Sequence, residues 1–153
     1  MGEGKGTVLI VEDQKGFRQI YKDVLSSDGY QVLTAEDGEA GWQLSKEKKP
    51  HLILLDLGLP KLDGFEVLSR LRADRETKAI PVIIFSVLGE DKDIQKAMGL
   101  GANGYVVKGS TTPRQVLVKI TEVLARMELD KKAVSREPDE EMGKAENNSF
   151  QPS

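Results

Sequence analysis

Five side chains could do chemistry together: Glu12, Asp13, Asp56, Ser86 and Lys108. All five stand at or just past the ends of short apolar runs. The sharpest case is Asp56, which follows directly on His51-Leu52-Ile53-Leu54-Leu55, with Gly58 and Pro60 breaking the chain beyond it. A short apolar run bounded by turn signals reads as a strand buried on both faces, the kind found in parallel sheets. Asp56 then sits where the backbone leaves the sheet, the edge at which open α/β sheets bind ligands. A carboxylate beside an apolar core needs a compensating group.

Thr7-Val8-Leu9-Ile10-Val11 runs into Glu12-Asp13, Pro81-Val82-Ile83-Ile84-Phe85 into Ser86, and Tyr105-Val106-Val107 into Lys108. Parallel strands would bring all of these ends to one edge. In the doubly wound order 2-1-3-4-5 the first and third strands are neighbours, so Asp13 and Asp56 would face each other with Glu12 close by. Gathered carboxylates repel, so one of them protonates or a cation binds. Oxygen ligands from a few carboxylates, completed by water or phosphate, suit Mg²⁺. Taken singly, each acid is as well explained as a solvated residue at a loop start; their convergence is what argues for a site.

The elements that must position these ends alternate along the chain. Phe17, Ile20, Tyr21, Val24 and Leu25 form the stripe of an amphipathic helix stopped near Gly29. Tyr30 to Ala35 reads as a strand, and Asp37-Gly38 introduces a helix from about Glu39 to Lys48 with Ala40 and Leu44 inward and Trp42 as packing. Asp63-Gly64 leads to Phe65, Leu68 and Leu71 at helical spacing, and Ile94, Ala97 and Met98 mark a helix from about Asp91 to Met98. Thr112-Pro113-Arg114-Gln115 is a helix start, with Thr as cap, Pro at the first helical position and Gln three residues on. Val116, Leu117, Ile120, Val123, Leu124 and Met127 continue it. Five strands and five helices in alternation predict an α/β fold with a parallel sheet covered on both faces.

Past Met127 the apolar period stops. Glu128 to Ser153 holds seven acids against four bases, which accounts for the whole net charge of −3. The expectation is one domain over residues 1–127 and a disordered acidic tail over 128–153. That charge offers no electrostatic footprint for nucleic acid or anionic membrane. With no cysteine there is no disulfide, thiolate nucleophile or cysteine-ligated zinc, and the single histidine, His51, cannot build a metal site alone. No signal-peptide stretch or membrane-spanning run is present, so the expected address is the cytoplasm.

The chain resembles the receiver domain of two-component response regulators, in its single-domain form like the chemotaxis regulator. Glu12-Asp13 looks like the acidic pair of that family, and Asp56 to Gly64 resembles its phosphoacceptor loop. Pro81 to Ser86 resembles the fourth strand with its hydroxyl, and Ala97 through Gly101-Ala102 to Tyr105 and Lys108 is similar to the fifth-strand signature. The likeness covers Thr7 to about Met127 and implies a flavodoxin-like doubly wound (βα)5 fold with a five-stranded parallel sheet in the order 2-1-3-4-5. It also implies the following roles. Asp56 accepts a phosphoryl group from a sensor histidine kinase or a phosphotransfer protein. Asp13, Asp56 and the Gly58 carbonyl hold Mg²⁺, with Glu12 ligating through water. Lys108 and the metal neutralise phosphoryl oxygens, and Ser86 and Tyr105 act as the switch pair. A serine ending a strand and a tyrosine in an edge strand are equally read as a turn residue and as packing. On this reading the protein is a signalling switch that catalyses its own phosphotransfer and dephosphorylation, and it docks on a downstream protein through its helix 4, strand 5 and helix 5 face.

Two departures from the family pattern stand out. Gly109 follows Lys108 where proline is common, which is expected to leave the lysine less rigidly held. Val87 follows Ser86 where a small residue is usual, which is expected to narrow access to the phosphoryl group. The rivals are a phosphohydrolase using an aspartyl-phosphate and a degenerate receiver serving only as a binding module. The first needs its nucleophile after the first strand with a second Asp two residues on, where Asp56 is followed by Gly58. The second is at odds with the joint presence of Asp13, Asp56, Ser86 and Lys108. Residues past Met127 are too few and too polar for an output domain, so the chain is expected to be a stand-alone receiver or one excised from a longer protein.

Overall fold

A computed structural model of the protein describes residues 4–142. Its elements are β1 (Thr7–Val11), α1 (Lys15–Ser27), β2 (Gln31–Ala35), α2 (Gly38–Lys48), β3 (Leu52–Leu55), α3 (Gly64–Ala73), β4 (Val82–Ser86), α4 (Asp91–Gly99), β5 (Gly104–Val107) and α5 (Pro113–Met142). The five strands form one sheet in the order β2-β1-β3-β4-β5, every neighbouring pair parallel. This is the flavodoxin-like doubly wound architecture.

Side chains alternate across each strand, and the two faces build two cores. Val8, Ile10, Leu52, Leu54, Ile83 and Phe85 pack with Tyr21 and Leu25 of α1 and Val116 and Ile120 of α5. Leu9, Val11, Ile53, Leu55 and Ile84 pack on the other face with Val67, Leu68 and Leu71 of α3 and Ala97 of α4. All four residues of β3 are at most 1% exposed, each worth roughly 1.5–3 kcal/mol of burial. That continuous apolar run makes β3 a central strand and pins the backbone that carries Asp56.

The turn chemistry foreseen from sequence is in place. Asp37 accepts from the Ala40 N–H at 2.8 Å and Asp63 from the Glu66 N–H at 3.0 Å, capping α2 and α3. Thr112 and Gln115 cap α5 reciprocally, each side chain accepting from the other's backbone N–H. His51 accepts the Thr7 N–H on its Nδ1 at 3.0 Å, a structural role.

One element differs. A helix ending near Met127 with disorder from residue 128 was the expectation, whereas α5 continues to Met142. From Glu128 to Glu137 the segment holds Glu, Lys, Arg, Ala and Leu, all good helix formers, and Glu128 stands four residues before Lys132, while Pro138 runs against that propensity. Propensity and such spacings support a helix without an apolar period. The rest of the expected tail, residues 143–153, lies outside the described residues.

Candidate functional site

The carboxyl edge of the sheet gathers the side chains singled out from sequence. β1 is held on both sides at its end: Glu12 N–H donates to the Ala35 carbonyl, and Asp56 N–H donates to the Val11 carbonyl, both at 3.0 Å. These bonds set Glu12, Asp13 and Asp56 side by side, with carboxylate oxygens of all three within 4.8 Å of one another. Glu12 and Asp56 are buried and Asp13 is exposed, so the cluster opens to solvent on the Asp13 side.

Lys108 enters from β5, its N–H donating to the Ser86 carbonyl at 2.8 Å. The Lys108 Nζ lies 2.6 Å from Glu12 Oε1 and 3.4 Å from Asp56 Oδ2, and its side chain is only 3% exposed. Glu12 Oε1 is thus buried in close ionic contact with the ammonium. Glu12 Oε2 accepts the Gln14 N–H at 2.9 Å. Burial pushes the Glu12 carboxyl above its usual range, and the Asp56 charge adds to that. Lys108 and the Gln14 N–H act in the opposite sense.

The residues present fit a divalent cation. The donors are all oxygen and three carboxylates converge, with Asp13 open to solvent. Mg²⁺ uses such a set with water completing its shell. Gly58, whose carbonyl is the remaining expected ligand, is exposed in the loop just past Asp56, and its N–H lies 3.4 Å from Asp56 Oδ1. The same loop needs a glycine at 64. A Cβ there would stand 2.2 Å from the Asp56 carbonyl oxygen, so only Gly lets the start of α3 pass this close to the phosphoacceptor candidate.

Ser86 is 1% exposed, and its Oγ accepts the Leu88 N–H at 3.2 Å, leaving its own hydrogen free to donate. The Tyr105 hydroxyl donates to the Leu88 carbonyl. The two expected switch residues thus grip the same residue of the loop between β4 and α4. Burial pushes the Tyr105 phenol above its usual range, with the Asp93 and Asp56 charges adding to it.

The departures at 87 and 109 look different in three dimensions. Gly109 has φ +87, in the left-handed region that proline cannot enter. Lys108 is nonetheless held on several sides, by two carboxylates and by two rings, Phe17 at 4.6 Å and Phe85 at 5.3 Å from the ammonium to the ring centroid. The expected looseness of the lysine is therefore not what the packing shows. Val87 is 67% exposed, with most of its surface in solvent.

Sequence reading missed three contributors. Phe17, in the first turn of α1, and Phe85, next to last in β4, were absorbed into apolar patterns. Arg18 was not singled out, yet its guanidinium donates to the Glu12 carbonyl at 2.9 Å and to the Asp13 carbonyl at 3.2 Å. A basic residue five positions after the acidic pair, on the first turn of the next helix, is the signal that would have found it.

A profile of the response regulator receiver domain matches residues 8–121. A Guillardia theta protein named "Probable transcriptional regulator ycf27" is 39% identical over 124 residues, 81% of this chain and 47% of that protein. The alkaline phosphatase synthesis transcriptional regulatory protein PhoP of Bacillus subtilis is 34% identical over 122 residues, 80% of this chain and 50% of that protein. Among solved structures, a CheY-like response regulator receiver domain protein from Methanospirillum hungatei superposes with a TM-score of 0.76 at 27% identity, covering 81% of this chain and 97% of that one. The chain spans about half the length of the curated relatives it matches.

Proposed function

The chain belongs to the response regulator receiver domain family, and from that premise we propose that it is a phosphorylatable switch with Asp56 as the acceptor. A carboxylate oxygen of Asp56 attacks the phosphorus of a phosphohistidine on a sensor kinase or phosphotransfer protein. The P–N bond breaks, a P–O bond forms, and the product is an acyl phosphate. Asp13, Asp56 and the Gly58 carbonyl would hold Mg²⁺, with Glu12 reaching it through water, and the ion would supply positive charge to offset that of the phosphoryl oxygens.

The observation that supports this reading is the placement of Lys108. Its ammonium sits 3.4 Å from Asp56 Oδ2 in a nearly water-free position, where a fixed cation is worth far more than in water. As the phosphoryl group arrives, Lys108 meets one of its oxygens and Ser86 donates its free hydrogen to another. Ser86 holds the Leu88 N–H and Tyr105 holds the Leu88 carbonyl, so drawing Ser86 inward moves the loop and Tyr105 together. The output is a change in the surface of α4, β5 and α5, which carries the exposed Met98 and the half-exposed Tyr105. A downstream protein reads that face. Hydrolysis of the acyl phosphate at the same site ends the signal.

No helix among the described residues is long and apolar enough to cross a membrane, and we place this switch in the cytoplasm.

The test is intact mass after incubation with phosphoramidate, with and without Mg²⁺, on the wild type and Asp56→Asn. The expected result is a Mg²⁺-dependent gain of one phosphoryl group that the variant lacks. No gain in the wild type from phosphoramidate or from a phosphorylated kinase would leave a binding module that does not take phosphate.

A further inference from the structure

We infer that Phe17 is a positioning residue: with Phe85 it forms an aromatic wall that holds the Lys108 ammonium over the acidic pocket. This rests on the reading of Lys108 as the charge that meets the phosphoryl group.

The ammonium lies 4.6 Å from the Phe17 ring centroid and 5.3 Å from that of Phe85. Both distances are within the range of a cation–π contact, and such contacts strengthen when water is excluded. Here it is excluded, since the lysine side chain is 3% exposed. The wall is itself braced. Phe17 meets Phe85 edge to face at 5.7 Å and 84°, and Tyr21 meets Phe85 at 4.8 Å and 65°. In a chain only 5% aromatic, three rings converging behind one lysine form a concentrated feature.

Among the described residues, Phe17 and Phe85 are the rings that meet this ammonium. Gly109 carries no side chain, and a Cβ built there would meet no atom within 4 Å. The polar partners of the ammonium are Glu12 and Asp56, and both turn their charge toward any cation that enters the pocket. The rings are the partners that a bound cation does not compete for. They keep Lys108 in place at the moment its carboxylates are shared.

Phe17 is placed for this by its neighbour. Arg18 ties the first turn of α1 to the Glu12 and Asp13 carbonyls, which fixes the turn that carries the ring against the acidic pair. A plain packing role for Phe17 would be filled equally by another apolar residue of similar size.

The experiment compares wild type, Phe17→Leu and Phe17→Tyr, with Phe17→Met carried alongside in case Leu loosens α1. Two quantities are read: the NMR shift of the Lys108 ε-methylene protons, which ring currents displace, and the rate of phosphoryl uptake from phosphoramidate at saturating Mg²⁺. Leu and Met are expected to move the ε-methylene shift toward its random-coil position and to slow uptake about threefold to tenfold. Tyr is expected to restore both. An unchanged rate in the Leu and Met variants, or a Tyr variant as slow as Leu, overturns the proposal. A wild type that takes no phosphoryl group refutes the acceptor reading of Asp56 instead, and an unmoved ε-methylene shift in the Leu variant then overturns the wall on its own.

Discussion

The Lys108 ammonium is closer to Glu12 Oε1, at 2.6 Å, than to Asp56 Oδ2, at 3.4 Å. The glutamate, rather than the phosphoacceptor candidate, is thus the tighter partner of the buried lysine. Glu12 holds that charge at a cost, because burial and the Asp56 charge push its carboxyl above the ordinary value of 4.5. In the unfolded chain the proton leaves near that ordinary value, whereas the folded protein keeps it to a higher pH. Between the two, the folded state binds more protons, so this group's stabilisation is full below 4.5 and is lost as pH rises through the folded value. Glu12→Gln is expected to remove that decline. In chelator at neutral pH the variant leaves the buried Lys108 with Asp56 as its carboxylate partner and should melt below the wild type, and it should gain less from added Mg²⁺. Thermal melts across the acid-to-neutral range decide it; a wild-type profile with no such decline would show that Lys108 compensates Glu12 fully.

Val87 stands one residue past Ser86 and is 67% exposed. Shortening it costs little packing, so Val87→Ala should change stability by no more than about 0.5 kcal/mol. If the isopropyl group narrows access to Asp56, both uptake from small phosphodonors and hydrolysis of the product speed up. Single-turnover mass measurements check both rates, and finding both unchanged would remove Val87 from any account of phosphorylation lifetime.

Much of this site is legible in the sequence because its parts are strand ends. An apolar run of four or five residues locates a parallel strand, and the first polar residue after it is placed at the edge by geometry alone. Asp37, Asp63 and Thr112 announce their helices for an equally local reason, since a short polar side chain capping a free N–H needs no tertiary partner. Phe17 was not legible as part of the site, because a core residue and a cation-holding ring occupy the same position in an apolar stripe. What separates them is Lys108, ninety-odd residues along and brought near only by the sheet. The course of α5 past Met127 was missed for the opposite reason: the apolar period was the signal used for a helix, and it stops there while the helix runs on.

Gly64 tests how closely the loop after β3 must pass Asp56. A methyl group there would fall 2.2 Å from the Asp56 carbonyl oxygen and 2.6 Å from the Leu57 Cα. Both obstacles are backbone, so the loop itself has to move. Gly64→Ala is expected to destabilise the fold by about 1–3 kcal/mol and to weaken Mg²⁺ binding, because the displaced segment carries Asp56 and Gly58. Urea denaturation with and without Mg²⁺ measures both effects. A variant as stable as wild type would mean the loop yields without strain.

Arg72 offers a control at the other end of the sheet. Its Nε and Nη2 both donate to the Gly101 carbonyl, at 3.0 and 2.8 Å. Nη1 donates to the Ile80 carbonyl at 2.8 Å and Nη2 to Asn103 Oδ1 at 2.9 Å. Asn103 Oδ1 in turn accepts the Val82 N–H at 2.9 Å. One guanidinium therefore ties α3 to the segments entering β4 and β5, the amino ends of the strands whose carboxyl ends carry Ser86 and Lys108. Lysine cannot reproduce a planar fork of donors, so Arg72→Lys leaves carbonyls unpaired and is expected to cost about 2–3 kcal/mol. Because the strands themselves hold the site, phosphoryl uptake measured well below the melting temperature should stay at the wild-type rate. A variant that loses stability and uptake together would show that the two ends of β4 and β5 are coupled, and that Arg72 belongs to the switch as well as to the fold.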